Sequence, residues 1–412
     1  MIAATNEKSL KEDNSHDILN HQEIEPEPKR KHSFFKVYIK HILLFALTFG
    51  SIAWTVGIMF VGHTTGMESL SDLVLWEGVI FAALLLGFLG VHEFGHYFAS
   101  VYHKVSTSLP YFIPLPYISP IGTMGAVIRI KERIEDSKKL FDIGIAGPVA
   151  GFVVSLVILL IGFSTLPGPE YLYNFEGHEQ LNEYIDQYDA FPNEPLAESH
   201  GSDVLMVGNT LLYDFIASFF DNVPPMWEMY HYPFLFAGWL GLFFTALNLM
   251  PVGQLDGGHV LYALIGYKNH LVFARIFFLT LVTLAGAGLV PLLHMVLEAF
   301  DNPYATISWG VWAFTLFWML RRAFRGNLFW TLVGSVVSLV LSAVLIYGVF
   351  GPDGTARFML WAIWSLFVLF LVGIEHPPVL NEQPLSPGRK VLGWLSILIF
   401  ILCISPNPFY ML

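Results

Sequence analysis

The chain has 412 residues, 55% of them hydrophobic and 13% charged, with a formal net charge of −12. An ordinary soluble domain does not combine so many apolar residues with so few charges, so the sequence predicts an integral membrane protein. The single cysteine, Cys403, excludes an intramolecular disulfide and a metal site built from cysteines. The net charge by itself predicts no nucleic-acid partner.

Apolar runs long enough to cross a lipid bilayer recur along the chain. A helix needs about 20 apolar residues to cross a hydrocarbon core of about 30 Å, and about nine runs approach that length. The sequence therefore predicts an all-α polytopic membrane protein with about eight to nine transmembrane helices. The runs lie near 41–61, 77–102, 143–163, 233–250, 271–298, 306–320, 328–350, 357–375 and 391–405.

Lys and Arg residues concentrate in alternate loops between these runs. The segment 29–40 before the first run is basic, and so is the loop after the second run, whereas the segment 164–232 contains no Lys or Arg. Cytoplasmic loops retain basic residues, which predicts a cytoplasmic N-terminus and an external 164–232 segment. Residues 1–28 resemble neither a signal peptide nor a transit peptide, so we expect a bacterial cytoplasmic membrane rather than a plastid.

The segment 109–130 predicts a small β-hairpin at the membrane edge. It ends in an alternating β-branched run around Gly122 and Gly125. An exposed strand there would offer main-chain groups to an unwound peptide, which is a hypothesis for substrate binding. Four prolines near its start exclude a regular helix, at Pro110, Pro114, Pro116 and Pro120.

The second apolar run contains the sequence HEFGH, with His92, Glu93 and His96. On a helix the two histidines lie one turn apart on one face, which lets their nitrogens reach one Zn²⁺ at roughly 2.0–2.1 Å. Glu93 is rotated by about 100° from His92 and so lies beside the metal, where its carboxylate can take a proton from a water that zinc has acidified. Such a spacing also arises by chance, but ionisable groups in hydrocarbon are costly and mark functional sites.

A third ligand is expected in the sequence TALNLMPVGQLDGGHV, residues 245–260. Pro251 ends the fourth run, and Asp256 follows in a predicted loop whose two glycines allow close approach of the backbone. The alternative is that the Asp-Gly pair only forms a turn. The second and fourth runs cross the membrane in the same direction, which brings Asp256 and His96 to the same cytoplasmic half. We therefore predict Asp256 as the third ligand.

HEFGH in one helix with NLMPVGQLDGG at the end of a later helix resembles the site-2 protease family, the intramembrane zinc metalloproteases of peptidase family M50. The segments DIGIAGPVAGF, GNTLL and HYPFLFAGWLGL, at 142–152, 208–212 and 231–242, are similar to the subgroup without a PDZ domain that occurs in cyanobacteria and plastids. The resemblance covers about residues 77–265. It implies that His92, His96 and Asp256 bind zinc and that Glu93 is the general base.

The resemblance also implies that Asn248 assists the substrate or the transition state, and the alternative for this residue is an interhelical hydrogen bond. We expect four segments along the chain. They are a disordered acidic tail over 1–32, a first transmembrane helix and outer loop over 33–76, a catalytic core over 77–270 and a C-terminal transmembrane bundle over 271–412.

The function implied by the resemblance is an intramembrane zinc endopeptidase. Its substrates would be transmembrane segments of other proteins in the lipid bilayer, cut near the cytoplasmic side. The alternatives are a metal or ion transporter, because intramembrane His, Glu and Asp also mark ion pathways, and a catalytically silent scaffold. A pathway needs polar groups across the membrane depth, whereas these cluster at one level, which favours the protease. The sequence predicts no oligomeric state.

Overall fold

The protein is described from a computed structural model, which covers residues 34–56, 72–175, 177–196, 205–299, 306–351 and 358–411. Residues Lys40–Leu412 form one compact unit, and the remaining unit, Met1–Ile39, contributes only the start of the first helix to the described residues. The predicted tail at 1–32 lies outside the described residues, and so does most of the predicted outer loop.

Most helices follow the predicted apolar runs, because each run satisfies its backbone hydrogen bonds internally, whereas the short helices Glu179–Tyr188 and Leu211–Ala217 lie in the acidic segment between two runs. Their bounds are α1 Phe34–Val56, α2 Asp72–Tyr102, α3 Ser137–Ser164, α4 Glu179–Tyr188, α5 Leu211–Ala217, α6 Pro233–Asn248, α7 Asp256–Ala299, α8 Ile307–Ala323, α9 Leu328–Ala343, α10 Met359–Phe367 and α11 Pro387–Cys403. Two π-helical segments, Val344–Phe350 and Val368–Val372, continue α9 and α10, and two 3₁₀ helices lie at Pro169–Asn174 and Met229–His231.

Five helices in the described part of the chain are long and apolar enough to cross a membrane, namely α1, α2, α3, α7 and α9 with its π-helical extension. Two shorter apolar helices are α6 and the segment Met359–Val372. The 16 residues of α6 span about 24 Å. The helical membrane architecture is thus confirmed, whereas the count of eight to nine crossings stays a prediction.

The start of α7 differs from the prediction. We expected Asp256 in a loop before a span beginning near 271, but the helix begins at Asp256 itself and bends at Gly266, where φ is 76°. Gly257 allows the helix to start this close to the end of α6, since a Cβ on Gly257 would lie 1.9 Å from the carbonyl oxygen of Leu249. The Asp-Gly pair therefore starts a helix tightly against the end of the previous one.

Helices α2, α3, α6 and α7 pack together at the centre of the protein. Small residues allow the close contact between α2 and α3, in particular the G-x-x-x-G pair Gly147 and Gly151 of α3. A Cβ on Gly147 would lie 2.1 Å from Nε2 of His96, and one on Gly151 would lie 2.9 Å from the ring of Phe88. The packing thus presses the histidine face of α2 directly onto the backbone of α3.

Two short antiparallel sheets accompany the helices in the described residues. Strand β1, Tyr111–Pro114, pairs with β2, Thr123–Val127, and the register places Tyr111 opposite Val127. This confirms the predicted hairpin. Strand β3, Leu205–Val207, pairs with β4, Phe409–Met411, so the segment after α11 is joined to the acidic segment between α3 and α6. The sequence did not predict this second sheet.

Polar contacts join the segments around the C-terminal end of α2 and the N-terminal ends of α3 and α11. Asp142 in α3 accepts two hydrogen bonds from Arg389 in α11, at 2.8 and 2.7 Å, and lies 2.8 Å from Nε2 of His103 just after α2. Arg133 donates to the carbonyl oxygen of Pro378 at 2.7 Å. The basic loops that the sequence predicts on one side of the membrane are therefore in mutual contact.

Candidate metal centre

Two histidines of α2 converge at its buried face. His92 and His96 are 4% and 6% exposed, and their Nε2 atoms are 3.1 Å apart. The i, i+4 spacing produces this geometry, since it places both rings on one side of the helix one turn apart. Two buried imidazole nitrogens at this short distance need a proton or a metal cation shared between them.

Asp256 completes a cluster of three candidate ligands. Its Oδ2 lies 3.5 Å from Nε2 of His92 and 3.2 Å from Nε2 of His96. Two ligands bound to one tetrahedral Zn²⁺ at about 2.0–2.1 Å are about 3.3 Å apart. The three separations, 3.1, 3.5 and 3.2 Å, bracket that value, and no cysteine is present in the cluster. These three residues therefore fit a zinc ion.

The neighbouring helix orients one of the histidines. Nδ1 of His96 lies 2.7 Å from the carbonyl oxygen of Ile143 in α3, so the ring donates its Nδ1–H there and directs Nε2 toward Asp256. Gly147 of the same helix leaves the space that this ring occupies. Nδ1 of His92 is buried and has no hydrogen-bond partner among the described residues.

Glu93 lies beside the cluster and outside the ligand set. Its side chain is 8% exposed, and the backbone N–H of Ile128, the residue after β2, donates to its carboxylate. The carboxylate is thus held between α2 and the hairpin instead of on the ligand face. This is the arrangement that the sequence predicted for a proton acceptor next to a metal.

A cavity of about 290 Å³ joins these groups to the hairpin. Asn248, the last residue of α6, lines the cavity together with the three candidate ligands and Glu93. The structure thus brings all five predicted site residues to one place. The other lining residues are Ala126, Val127, Ile128, Ile130, Ile134, Ile143, Gly144, Gln254, Leu255 and His259.

A second pair of histidines adjoins the cavity, and the sequence reasoning assigned it no role. His259 lines the cavity, and its Nδ1 lies 2.8 Å from Nε2 of His376. Burial lowers the pKa of His376 to about 4, so this ring is neutral at pH 7. His259 follows Asp256 by three residues on the same helix face, a signal that was available. His376 is distant in sequence and only the fold reveals it.

Comparison with known proteins agrees with this geometry. The model of the family described as "Peptidase family M50" matches residues 80–285, which include every candidate site residue. No solved structure matches the chain.

Curated relatives carry related names. The chain is 30% identical over 250 residues to a protein of Arabidopsis thaliana named "Probable zinc metalloprotease EGY1, chloroplastic", an alignment that covers 57% of this chain and 41% of the relative. It is 32% identical over 199 residues to the EGY1 protein of Oryza sativa subsp. japonica, with 48% and 29% covered. A third relative, "Probable zinc metallopeptidase EGY3, chloroplastic" of Arabidopsis thaliana, is 26% identical over 277 residues, with 67% and 42% covered.

The chain therefore spans less than half the length of these curated relatives. The family match covers half of the chain, and the resemblance seen in the HEFGH and NLMPVGQLDGG segments is confirmed by it. The chain belongs to peptidase family M50.

Proposed function

We propose that this protein is an intramembrane zinc endopeptidase that cleaves transmembrane segments of other membrane proteins near the cytoplasmic side. The observation that carries the proposal is the meeting of His92, His96 and Asp256 with the carboxylate of Glu93 in one cavity among apolar helices. The family membership and the names of the relatives support zinc and proteolysis.

The chemistry follows from the placement of these side chains. A bound Zn²⁺ would supply a Lewis acid for the peptide carbonyl and lower the pKa of the attacking water. Glu93 lies beside the three ligands and is the group that accepts the proton from that water and passes it to the leaving amine. His96 is held in position by Ile143, so that its Nε2 stays available as a ligand.

Asn248 is proposed to bind the substrate. Its amide lies at the end of α6 and faces the same cavity as Glu93. A peptide bond that leaves a transmembrane helix has an unsatisfied carbonyl and N–H in a region without bulk water. An amide side chain can donate to such a carbonyl and stabilise the negative charge that develops on it during attack.

The β-hairpin is proposed to hold the unwound part of the substrate. Residues Ala126 to Ile128 line the cavity, and the Ile128 N–H already donates to Glu93. The edge of β2 therefore adjoins the reacting groups. An extended peptide that pairs with this edge would regain main-chain hydrogen bonds lost from its helix.

The predicted topology supports cleavage toward the cytoplasm. His96 lies about 9 Å from the end of α2 at Tyr102, at a rise of 1.5 Å per residue. The loop beyond that end carries Lys104, Arg129 and Lys131, which are typical of cytoplasmic loops. Strand β3 of the acidic segment pairs with β4, the strand after α11. We propose that both lie on the side of the membrane opposite to the cytoplasm.

The chemistry of the site does not depend on which cellular membrane contains the protein. The relatives are named as chloroplast proteins, so the comparisons do not support the predicted bacterial cytoplasmic membrane. The bacterial location and the cytoplasmic N-terminus stay predictions from the sequence, and the substrates are proposed only by class.

The test compares the membrane proteomes of cells that carry the native chain, Glu93→Gln or Glu135→Gln. Glu93→Gln removes the proton acceptor and leaves the three ligands, whereas the exposed Glu135 is the matched control. We expect uncut or singly trimmed single-span proteins to accumulate with Glu93→Gln alone. Identical proteomes for all three chains, with zinc still bound, would contradict the protease and favour a metal transporter.

A further inference from the structure

A second cluster of two histidines and one carboxylate lies outside the predicted site. His178 and His231 place their Nε2 atoms 3.0 and 3.5 Å from Oε2 of Glu228. The three ligand atoms lie within 4.8 Å of one another. The residues are 3%, 2% and 0% exposed for His178, Glu228 and His231, respectively. Three convergent ionisable groups are thus almost completely removed from solvent.

The cluster belongs to the acidic segment and lies far from the HEFGH cavity. His178 precedes α4, and Glu228 and His231 flank the 3₁₀ helix that leads into α6. Asn248, at the other end of α6, is about 24 Å away along a helix of 16 residues. The two clusters therefore cannot share a metal ion.

Packing fixes the side chains of this second cluster. The ring of His231 stacks on Phe175, with ring centroids 4.3 Å apart, and its carbonyl oxygen accepts from the hydroxyl of Tyr171 at 3.3 Å. His178 is the residue before α4 but does not cap that helix with its side chain, which turns to Glu228 instead. The fold thus holds both imidazoles against the carboxylate of Glu228.

The charge of Glu228 requires a cation. A buried carboxylate is costly unless it is paired or coordinates a metal. The segment 164–232 contains no Lys or Arg, and the ion-pair partners of Glu228 in the described part of the chain are the two histidines. A metal ion held by all three groups would supply the positive charge that an ionised Glu228 needs in this apolar surrounding.

The geometry matches that of the first cluster. The imidazole rings are 5.0 Å apart at 73° in the second cluster, and 4.9 Å apart at 72° in the first. Both measured distances from nitrogen to carboxylate, 3.0 and 3.5 Å, bracket the separation of about 3.3 Å expected between two ligands of a tetrahedral zinc. A simple pair of one imidazolium and one carboxylate does not require the second imidazole to approach.

We propose that His178, Glu228 and His231 bind a second Zn²⁺, which is structural. A cavity of about 10 Å³ next to His178 and Glu228 has room for about one water, which would serve as the fourth ligand. Two imidazoles, one carboxylate and one water form a ligand set that Zn²⁺ accepts, and the small cavity leaves no room for a peptide substrate, which favours a structural role. The ion would tie the start of α4 to the outer end of α6 and so attach the acidic segment to the helix that carries Asn248.

The experiment counts zinc on purified full-length chains in detergent, after incubation with ZnCl₂ and desalting. The native chain is expected to hold about two zinc ions, and His92→Ala/His96→Ala about one. Adding His178→Gln/His231→Gln to that double variant should lower the count to nearly zero. Glutamine is chosen because its amide can still donate a hydrogen bond to Glu228.

Two controls keep the outcome decisive. His294→Gln removes an exposed histidine that lies 3.2 Å from Glu298, and it should leave every count unchanged. X-ray absorption of the His92→Ala/His96→Ala chain should show a four-coordinate ion with imidazole ligands, which decides the matter if the fourfold variant fails to fold. A folded His92→Ala/His96→Ala chain without zinc, or with zinc that lacks imidazole ligands, would overturn the proposal. That result would leave the proposed protease untouched.

Discussion

Two clusters of the same composition lie toward opposite ends of α6. In each, the Nε2 atoms of two histidines lie 3.0–3.5 Å from one carboxylate oxygen. The clusters differ in their surroundings. The one on α2 has a further carboxylate, Glu93, and opens into a cavity of about 290 Å³, whereas the one around Glu228 adjoins a cavity of about 10 Å³.

The comparison shows that binding a metal ion and hydrolysing a peptide bond have different structural requirements. Two imidazoles and one carboxylate can hold a metal in either place, but hydrolysis also needs a proton acceptor beside the metal and room for a substrate. Asp256 is the more exposed carboxylate, with 17% of its side chain accessible against 2% for Glu228. We therefore propose catalysis at the first cluster and a structural role for the second.

The largest effect is expected from the group that only the first cluster possesses. Glu93→Gln should lower the rate of peptide cleavage by about 10²–10⁴-fold, the range for removal of a general base, while the zinc count stays unchanged. Cleavage by purified chains and zinc content are measured on the same preparation. Equal activity of Glu93→Gln and the control Glu135→Gln would remove the assigned role of Glu93.

A smaller effect is expected from the proposed substrate amide. Asn248→Ala should reduce kcat by about 10²-fold, with zinc retained, because a donor to the developing charge is lost. Asn269→Ala is the matched control, since this exposed asparagine in α7 donates to its own helix. A normal kcat with lower thermal stability would instead indicate an interhelical hydrogen bond by Asn248.

Variants of the β1–β2 hairpin test whether the substrate reaches the first cluster as an extended strand. Val127→Pro should lower cleavage about tenfold, because a proline disrupts β2 and removes a main-chain donor. Val127→Ala shortens the same half-exposed side chain but keeps the backbone N–H, so it should retain most activity. Similar losses in both variants would assign the effect to the side chain and contradict strand pairing.

The smallest effect on cleavage is expected from the second cluster. His178→Gln/His231→Gln should keep the cleavage rate within about threefold at low temperature, since these residues are far from the cavity. It should lower Tm by about 5 °C or more, because a bound metal stabilises the folded state. Thermal unfolding of native and variant chains with added zinc measures this. A loss of cleavage as large as that of Glu93→Gln would contradict the division of roles.

The sequence predicted the first cluster because its signal is local. His92, Glu93 and His96 lie within two turns of one helix, so their relative placement follows from helical geometry alone. Asp256 needed one further step, the direction in which two apolar helices cross the membrane. The loop predicted around Asp256 was wrong because the same two glycines suit a turn and a tightly packed helix start.

The second cluster was missed because its signal is not local. His178 and Glu228 are 50 residues apart in the sequence, and no pattern in the intervening residues indicates that they meet. Glu228 and His231 are three residues apart, but a 3₁₀ helix of three residues has no sequence signature. The pairing of β3 with β4 is equally long-range. Length alone does not decide whether a short apolar helix such as α6 crosses the membrane, because the packing of neighbouring helices also matters. The number of membrane crossings therefore stays a prediction.

The central claim is that the cavity around Glu93 cuts peptide bonds inside a membrane segment. The direct measurement reconstitutes the native chain in liposomes with a single-span protein that accumulates in the Glu93→Gln cells, and determines the intact masses of the products. We predict products that end within the apolar segment, toward its cytoplasmic end, and that are absent with Glu93→Gln. Products that end outside the apolar segment, or that form equally with Glu93→Gln, would contradict the claim.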